Sequence, residues 1–390
     1  MLNHNVAGRG TYFRCMAYAR HLVRRGHRVE LLTISADRRQ GFETSEAEGV
    51  IVVHTPDLAV GLARTGWDPW DAVQRCRYLS GRHYDVVHGF DGRPVVRYPA
   101  RYLQLRKGVP YISDWADWWG RGGVIAERKG ALLRRYFAPI ETYYEESCRT
   151  LADHVTVISS ALHERALGLG VDASRVTRLP GGAEPDRIRP MDPEPGRARL
   201  GLSADVPVVA YAGFVQYDIE YVLHAFAAIH ASLPAARLLL VGPRVEAQLE
   251  LLGDSTRAAV IQTGILPPSD TLVYLAAADV LLLPFLPKQA NLGRWPNKAG
   301  EYMCLGKAIV TNAVGDVREV VDAGAAIGAP ATTAGFAEAA TRLLEDGAAR
   351  ARLGAAARKA AEDVFDYAGM AANLEVLYAR VARHPLAATQ

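Results

Sequence analysis

Cysteine is scarce in this sequence, and the four cysteines that occur are far apart. Cys15, Cys76, Cys148 and Cys304 form neither a CxxC pair nor a Cys/His cluster. This argues against a zinc site and favours free, buried thiols in a reducing cytosol. No apolar run reaches the about 18 residues that a membrane-spanning helix needs, and no charged-then-apolar leader opens the chain. We therefore expect neither membrane spanning nor secretion.

Two binding motifs are also missing. No DxD triplet occurs, so a divalent metal bridging a diphosphate is not expected. The glycine loop "AGRG" is followed by Arg14 and Cys15 where the dinucleotide fingerprint requires a third glycine. A dehydrogenase is therefore a poor interpretation of this chain.

The chain has 390 residues, of which 49% are hydrophobic and 22% charged, the composition of a globular protein with two domains. The net charge of +3 is unevenly distributed. Residues 1–180 hold 26 Lys and Arg against 19 Asp and Glu, whereas the remainder holds 19 against 23. The excess of cations suggests that the first half meets an anionic substrate or membrane, although chance scatter explains it equally well.

Short apolar runs alternate with helix-like segments along most of the chain, which predicts parallel strands covered by helices. The runs lie at 28–33, 50–55, 85–90, 110–115 and 154–159 in the first half, and at 206–213, 236–243, 259–264, 280–285 and 307–312 in the second. The predicted fold class is α/β, with two Rossmann-like, doubly wound parallel-sheet domains. Only "MLNHNV" precedes the first glycine loop, so the first strand is expected to be very short or truncated.

The predicted domains are 1–182, 183–365 and a C-terminal helical segment, 366–390, that packs back toward the first domain. The segment 179–207 is rich in Pro, Gly and charge and is predicted to be a hinge-like linker. The tail from about Pro385 is expected to be loose. Because ligands of such sheets collect at the carboxyl ends of the strands, the active site is expected in the cleft between the two main domains.

Loops after the predicted strands of the first half carry several candidate residues. Gly8 and Gly10 can bring the backbone close to a phosphate or sugar, or simply form a tight turn. His88 lies at the end of another predicted strand and is followed by Asp91 and Arg93, and a structural role is the common alternative for such a histidine. The loop "SDWADWWGR" offers carboxylates for hydroxyls and indole rings for sugars, unless it only closes a core; its candidates are Asp114, Trp115, Asp117 and Trp118.

The segment "ERKGALLRRYFAPIE" (127–141) mixes Arg and Lys with Leu, Tyr and Phe. This composition is typical of an interfacial helix on anionic lipid. A solvated, partly packed helix is the alternative.

The strongest pattern lies in "RWPNKAGEYMCLGKAIVTN" (294–312). Pro296 suits the first helical position, or Asn297 the N-cap, and Gly306 the end of the helix. Lys298 and Glu301 are three residues apart and project from one face. A lysine and backbone amides can neutralise a diphosphate, and a carboxylate can accept from two ribose hydroxyls, so we predict a nucleotide site. A capped helix with an ion pair is the structural alternative.

Together these motifs resemble the GT-B-fold glycosyltransferases of family 4 over nearly the whole chain. The resemblance rests on "GRGTYFRCMAYARHLVRRGHRVELLT", "YDVVHGF", the stretch from "ADHVTVIS" to the hinge, "VVAYAGFV", "ARLLLVG", "AADVLLLP" and "EYMCLGKAIVTN". "PYISDWADWW" is similar to a variant found in some bacterial members that build surface polysaccharides.

The chain departs from the family pattern in places. The first Glu of the Glu-x7-Glu pattern falls on Gly293, so the carboxylate usually placed against the donor sugar is missing, and Phe90 replaces the second His of "DVVH-H". The usual Arg and Lys after Gly213 are also absent, with Phe214 and Tyr217 near their positions.

The resemblance implies a retaining transfer of a sugar from a nucleoside diphosphate sugar to a hydroxyl of a saccharide or lipid-linked acceptor, in surface polysaccharide or glycoconjugate synthesis. Lys298, Asp117 and His88 are the expected catalytic residues. Donor binding is assigned to Glu301, Lys298, Arg294, Asn297, Gly213, Gly10 and Gly8. Acceptor binding is assigned to Asp114, Trp115, Trp118 and Arg93, and Lys288 is a further candidate for the donor phosphates.

No cofactor, metal or nucleic acid is expected. The predicted location is the cytoplasm, with the inner face of the cell membrane as an alternative. A non-catalytic nucleotide-sugar-binding relative, an accessory subunit of a transferase, and an epimerase or sugar phosphorylase of the same architecture remain alternative functions, and a small-molecule aglycone remains an alternative acceptor.

Overall fold

The computed structural model describes residues 1–58, 66–127, 130–213 and 218–382. They form two compact units. Unit 1 comprises the described residues within 1–181, 292–295 and 367–382, and unit 2 comprises those within 182–291 and 296–366. Within the described ranges, no helix is both long and apolar enough to cross a bilayer.

The strands, in chain order, are β1 (Leu2–Val6), β2 (Glu30–Ile34), β3 (Glu43–Ala47), β4 (Val50–Thr55), β5 (Val87–Phe90), β6 (Tyr111–Trp115), β7 (His154–Val157), β8 (Val176–Arg178), β9 (Val208–Ala212), β10 (Arg237–Val241), β11 (Val260–Gly264), β12 (Val280–Leu283), β13 (Ala308–Asn312) and β14 (Ile327–Ala329). The helices are α1 (Thr11–Arg24), α2 (Pro69–Ser80), α3 (Pro94–Lys107), α4 (Val124–Glu127), α5 (Ala131–Leu151), α6 (Ser160–Gly168), α7 (Glu194–Leu200), α8 (Ile219–Ser232), α9 (Glu246–Leu249), α10 (Asp254–Ala258), α11 (Pro268–Ala276), α12 (Gln289–Leu292), α13 (Asn297–Cys304), α14 (Arg318–Asp322), α15 (Thr333–Glu345), α16 (Gly347–Asp363) and α17 (Tyr367–Val381). The α/β class and the two Rossmann-like parallel sheets predicted from the sequence are confirmed.

The eight-stranded sheet of unit 1 has the order β3-β4-β2-β1-β5-β6-β7-β8. Its pairs are parallel except for β3 and β4, which are antiparallel. The first strand is a central strand of five residues, paired with β2 and β5, and its register with β2 shifts between Leu2 and Val6. The carboxyl ends of β1, β5 and β6 therefore lie side by side and bring their following loops to one edge of the sheet.

Helices α1 and α17 share the core of unit 1. Tyr18 and Leu22 of α1 and Leu374 and Leu377 of α17 are buried in one hydrophobic cluster. The Tyr18 ring meets the Tyr367 ring edge to face, with centroids 5.1 Å apart. The C-terminal helix thus belongs to the same packed unit as the first helix.

The six-stranded sheet of unit 2 has the order β11-β10-β9-β12-β13-β14, with parallel pairing between the neighbouring strands. Helices α8 and α15 cover one face, where Phe226 and Phe336 pack with Leu238 and Leu282 of the strands. Strand β9 is central, so its carboxyl end is flanked by neighbours on both sides.

The predicted linker at 179–207 is more ordered than expected. Its second part forms α7, and Gly196 lies in close contact with the backbone of Val273 in α11. Arg197 is buried and donates to the carbonyl oxygens of Ser203 and Val206, each at 2.9 Å, and to the Asp279 carboxylate at 2.9 Å. These bonds make residues 194–207 part of unit 2.

Candidate functional site

Helix α13 carries the main predicted donor-binding residues of unit 2. Pro296 occupies the N-cap position with extended backbone, and the helix starts at Asn297. Both predictions for this end are wrong by one position, because Pro296 precedes the helix and Asn297 is already helical. At the other end, Gly306 follows the C-cap with φ 64°, as predicted.

Two contacts fix α13 beside the carboxyl end of β9. The backbone N–H of Ala212 donates to the Tyr302 hydroxyl oxygen over 3.0 Å. A side chain at Gly300 would collide with the carbonyl oxygen of Gly182, so the helix can approach this segment only with glycine at that position. The first turns of α13 are thereby held next to the central strand of the sheet.

Lys298 and Glu301 lie close to the end of β9 and to each other. Lys298 Nζ is 4.2 Å from the centroid of the Tyr211 ring, a cation–π contact. Tyr211 also lies against Gly213, because a Cβ at Gly213 would be 3.0 Å from the Tyr211 hydroxyl oxygen. One aromatic ring therefore connects two predicted donor-binding residues, and Glu301 lies within the electrostatic range of Lys298.

Glu301 is half-buried, and its carboxyl group is poorly solvated. Desolvation raises its pKa from an ordinary value of 4.5 to about 7; Lys298 opposes the shift and Glu184 adds to it. A hydroxyl-rich ligand beside Glu301 would find an acceptor that becomes mostly ionised only as the pH rises above neutral.

The end of β9 closely approaches the end of β10. The Gly213 N–H donates to the Val241 carbonyl oxygen over 3.0 Å. Gly242 has φ 145°, and a Cβ there would overlap the Gly213 carbonyl oxygen, so this approach requires glycine. Phe214 and Tyr217, noted in place of the family's Arg and Lys, lie outside the described residues.

The other predicted phosphate-binding cations have different environments. Lys288 forms an ion pair with Asp218, with 3.6 Å between Nζ and Oδ1. Arg294 belongs to unit 1, where its charge acts on the Asp117 carboxyl group. Of these three predicted cations, Lys298 is the one that lies beside Tyr211 and Glu301.

Gly293, which takes the place of the family's first glutamate, is packed against Trp118 in unit 1. A Cβ at position 293 would overlap the Trp118 Cβ and lie 3.2 Å from its backbone nitrogen. The structure therefore explains why position 293 has glycine in place of the first glutamate of the family pattern. Trp118 fills the space that any side chain at position 293 would need.

Glu145 holds the loop that carries Trp118, although no sequence pattern marked it as a candidate residue. Its carboxylate accepts from the Trp115 indole N–H at 3.0 Å and from the backbone N–H groups of Trp119 and Gly120 at 2.7 and 2.8 Å. Arg165 pairs with the same carboxylate at 3.2 Å and lies over the Trp118 ring, 4.3 Å from its centroid. The loop after β6 is thus built around one buried carboxylate.

Asp117 lies in this loop, between the buried Trp115 and the half-buried Trp118. Desolvation raises its pKa from 3.8 to about 7, the Asp91 charge adds to the shift, and the Arg294 charge opposes it. Within the described residues its carboxylate accepts no hydrogen bond. The structure thus leaves Asp117 able to bind a hydroxyl group, and its catalytic role stays a prediction.

Asp114 and His88 have structural environments that argue against the predicted ligand contacts. Asp114 is fully buried and accepts two hydrogen bonds of 2.9 Å from Arg14 and one of 2.7 Å from Thr156. Burial alone would raise the pKa of Asp114, but the Arg14 guanidinium outweighs this and holds it below its ordinary value. The two ring nitrogens of His88 contact the Tyr378 and Thr156 hydroxyls at 2.8 and 3.1 Å, and burial lowers its pKa to about 3.

Trp115 and Arg93, both assigned to acceptor binding, are also buried. Trp115 is bonded to Glu145 as described above. The Arg93 guanidinium lies over the rings of Trp67 and Trp119, with 5.3 and 4.8 Å to their centroids, and pairs with Glu141 at 3.6 Å. Among the four predicted acceptor residues, Trp118 is therefore the most accessible.

Asp91 is a further unusual residue at this edge of the sheet. It follows β5 with φ 74°, a conformation that non-glycine residues seldom adopt outside constrained sites. Its Oδ2 lies 3.5 Å from Nε2 of the buried His4 in β1, and its charge acts on Asp117. The carboxyl ends of β1, β5 and β6 thus form a polar cluster. It could have been predicted only if the strand order had been known.

The first glycine loop occupies the same edge. Gly10 is the N-cap of α1 with φ 52° and ψ −126°, and a Cβ there would lie 2.7 Å from Asn5 Nδ2. Gly8 has φ 75° and is exposed, with no described atom within 4 Å of a Cβ at that position. Their roles in donor binding stay predictions, and their backbone conformations explain the need for glycine.

Family comparisons agree with the two units. Residues 9–182 match the sequence model described as a glycosyl transferase 4-like domain, and residues 206–346 match the model described as glycosyl transferases group 1. The chain belongs to the group 1 glycosyltransferases. The second of these matches includes β9 and α13, the elements that position Lys298 and Glu301.

Among curated proteins, this group 1 glycosyltransferase is similar to the D-inositol 3-phosphate glycosyltransferase of Mycobacterium tuberculosis strain H37Rv. The two are 27% identical over 330 residues, which cover 76% of this chain and 62% of that relative. The match thus spans less than two thirds of the relative's length.

Solved structures give the same fold. The sucrose-phosphate synthase of Thermosynechococcus elongatus matches with a TM-score of 0.73 at 20% identity, over 97% of this chain and 94% of that one. Anabaena HepE, solved in complex with UDP, matches with a TM-score of 0.70 at 15% identity, over 97% and 98% of the two chains. These matches confirm the GT-B architecture of this group 1 glycosyltransferase.

Proposed function

We propose that this protein transfers a sugar from a nucleoside diphosphate sugar to a hydroxyl of a saccharide or lipid-linked acceptor, with retention of configuration and without a metal ion or cofactor. The observation that carries the proposal is the arrangement of α13, which holds Lys298 and Glu301 beside Tyr211 and Gly213 at the end of the central strand of unit 2. Anabaena HepE was solved with UDP, which supports a nucleotide ligand for this fold.

Lys298 is the group that stabilises the leaving diphosphate in this proposal. A phosphate oxygen gains charge as the glycosidic bond breaks, and a fixed ammonium group lowers the energy of that state. The Tyr211 ring already holds a cation at this position, so little rearrangement is needed when the charge develops. The start of α13 adds the positive end of a helix dipole, which is favourable for an anion.

Glu301 binds the ribose in this proposal. Its carboxylate can accept hydrogen bonds from two neighbouring hydroxyls, and it lies one turn into the helix from Lys298. This spacing suits a diphosphate and the ribose attached to it.

Asp117 is the second of the predicted catalytic residues that this proposal uses, after Lys298. Its carboxyl group accepts no hydrogen bond within the described residues, and its pKa near 7 lets it accept from, or exchange a proton with, an acceptor hydroxyl. In a front-face displacement the leaving diphosphate oxygen takes the acceptor proton, so positioning is the main task left to Asp117. The surface polysaccharide or glycoconjugate that contains the acceptor belongs to this proposal as well.

A non-catalytic nucleotide-sugar-binding protein is the second candidate function, and Gly293 is the observation that favours it. Trp118 occupies the space where the resemblance places a glutamate, and Arg and Lys are absent after Gly213. Such a protein would bind the donor and support a partner transferase.

A binding and turnover experiment tests these proposals. Isothermal titration with UDP, ADP and GDP and their sugars should show one strong ligand, and Lys298→Glu should weaken it by at least about tenfold, because a charge-assisted contact to phosphate becomes repulsive. Lys359→Glu is the control, since Lys359 is an exposed lysine of the same unit. Donor turnover with an added acceptor mixture supports the transferase, whereas tight binding without turnover on any acceptor supports the accessory role. No binding to any nucleotide would contradict both.

We also propose contact with an anionic membrane through the first turns of α5. Leu132, Tyr136, Ile140 and Tyr143 are exposed at a spacing that places them on one face. Arg134 and Arg135 are exposed between them, and residues 131–140 contain no Asp or Glu. Each apolar side chain buried in lipid contributes about 1.5–3 kcal/mol, and the arginines add attraction to anionic headgroups.

A further inference from the structure

Helices α2 and α3 of unit 1 leave an apolar groove on the surface with a volume of about 490 Å³. One face of α2 forms most of its lining, with Pro69, Ala72, Val73, Cys76, Arg77 and Ser80, and α3 contributes Tyr98 and Tyr102. These α2 residues follow the spacing of a single helix face. Neither the predicted donor-binding residues nor the predicted acceptor-binding residues line it.

The groove is open to solvent although its walls are apolar. Val73 and Tyr98 are each 47% exposed, and Leu105 farther along α3 is 67% exposed. Large apolar side chains exposed together in this way mark an interaction surface for a protein, a membrane or a ligand. Among the lining residues that the structure describes, Arg77 is the one with a charged side chain, and Arg106 is exposed beside Leu105.

The groove continues the exposed face of α5. The Tyr98 hydroxyl is hydrogen-bonded to the Tyr144 hydroxyl over 2.8 Å. Arg97 of α3 donates to the hydroxyl of Tyr143 over 3.2 Å, and Tyr143 is the last member of the α5 apolar stripe. A lipid surface that meets α5 would therefore also meet the rim of the groove.

We propose that this groove receives an acyl chain of an anionic phospholipid, with the phosphate group near Arg77. The apolar walls match a hydrocarbon chain, and the cation at the rim matches an anionic headgroup. A polar ligand would be poorly satisfied, because Ser80 and the tyrosine hydroxyls are the few neutral hydrogen-bonding groups in the lining. This inference rests on the membrane contact proposed above, and it adds a specific site and ligand class to it.

Cys76 provides the test, because it lines the groove while Cys15, Cys148 and Cys304 are buried. The alkylation rate of Cys76 by a water-soluble iodoacetamide is measured by mass spectrometry on the full chain. Vesicles of phosphatidylcholine with 30% phosphatidylglycerol, an amount on the order of that in anionic membranes, should slow the reaction by about tenfold or more. Pure phosphatidylcholine vesicles should leave the rate unchanged.

Sedimentation with the same vesicles separates this inference from the membrane proposal. Protein that sediments while Cys76 reacts at its free rate would overturn the groove assignment and leave the membrane contact standing. Protein that does not sediment contradicts the membrane contact. The alkylation rate of Cys76 with monomeric lysophosphatidylglycerol then tests the groove by itself. Protection of Cys76 by that single-chain lipid supports the site, and an unchanged rate overturns it.

A groove-filling variant gives an independent readout. Val73→Trp should reduce vesicle binding by about fivefold or more, since the added ring takes the space of the acyl chain. Val376→Trp is the matched control, because Val376 is 69% exposed on α17 of the same unit. Equal vesicle binding by both variants would overturn the assignment. Binding of an apolar helix of another protein in the groove, in place of lipid, would also overturn it.

Discussion

At the scale of single residues, the carboxyl groups of Glu301 in unit 2 and Asp117 in unit 1 are distinguished by their poor solvation, which their sequence positions do not reveal. Both are half-buried and both have pKa values near 7, although one lies in a helix and the other in a loop. A carboxyl that is poorly solvated without a strong ionic partner costs stability, and sites that bind ligands often contain such groups. Their properties depend on neighbours that are distant in the sequence.

Glu301→Gln is expected to stabilise the protein while it weakens nucleotide binding. As pH rises from about 4.5 to about 7, the unfolded state loses the Glu301 proton and the folded state keeps it, so this carboxyl lowers the free energy of unfolding of the wild type through that window. The glutamine side chain does not titrate. The stability difference between variant and wild type should thus grow through the window to on the order of 2 kcal/mol above pH 7.

Urea unfolding at pH 4.5 to 8 measures this difference, and titration with the preferred nucleotide measures the loss of binding. Parallel stability curves for the two proteins would contradict the assigned pKa. Undiminished nucleotide binding by the variant would contradict the ribose contact.

The limits of sequence reasoning are clearest for Asp114, His88 and Asp117. All three follow or end apolar runs, so sequence position alone makes each an equal candidate for a functional role. Arg14 lies 100 residues from Asp114, and Tyr378 lies 290 residues from His88, so the bonds that satisfy them depend on long-range packing. Lys298 and Glu301 were recognisable because their relation is local to one helix.

At the scale of elements, the loop after β6 is the part of unit 1 whose shape depends on one residue of a neighbouring helix. Glu145 of α5 binds the indole of Trp115 and two backbone N–H groups of the loop. Asp117 lies between those attachment points. The orientation of the candidate residue is thus set by α5.

Glu145→Ala is expected to destabilise the protein by about 3 kcal/mol or more, because three donors, two of them in fully buried hydrogen bonds, lose their acceptor at once. Thermal unfolding and tryptophan fluorescence are the measurements, since three tryptophans lie in or next to this loop. Glu164→Ala is the control, because Glu164 has a side chain that is 78% exposed in the same unit. Equal unfolding temperatures for the two variants would show that the loop does not depend on Glu145.

The strands could be predicted where their residues are continuously apolar. All ten predicted apolar runs overlap strands of the structure, because both faces of a parallel sheet are covered. Strand β3 was missed, since its residues Glu43–Ala47 are mostly polar and exposed at the edge of the sheet. Strand β1 was expected to be very short or truncated because only six residues precede the glycine loop, but five of them form the strand. Its polar residues Asn3 and His4 are buried and held by other polar groups.

At the scale of the whole molecule, the chain returns to its first unit at the end. Helix α17 packs on α1, and the short segment 292–295 also belongs to unit 1. Each unit is therefore built from segments that are not consecutive in the sequence. A single division at residue 182 would place both segments in unit 2; the sequence-based prediction set 366–390 apart but did not separate 292–295.

Leu374→Ala in α17 is expected to lower the free energy of unfolding by about 2–4 kcal/mol, because Leu374 is 1% exposed in the core that α17 shares with α1. Val376→Ala, two residues away and 69% exposed, should change it by less than about 0.5 kcal/mol. Denaturant unfolding of both variants measures the contrast. Similar small losses would mean that α17 contributes little to the core of unit 1.

The close packing of Gly293 and Trp118 restricts how the protein can change. An ancestor or descendant that carries glutamate at position 293 must also carry glycine, or a displaced loop, at position 118, because the overlap is with the Cβ of Trp118 itself. Neither substitution is neutral alone, since the first creates a steric overlap and the second leaves a void beside a glycine. Evolution between the two arrangements therefore requires coupled substitutions, and protein engineers who wish to restore the acid must alter both positions together.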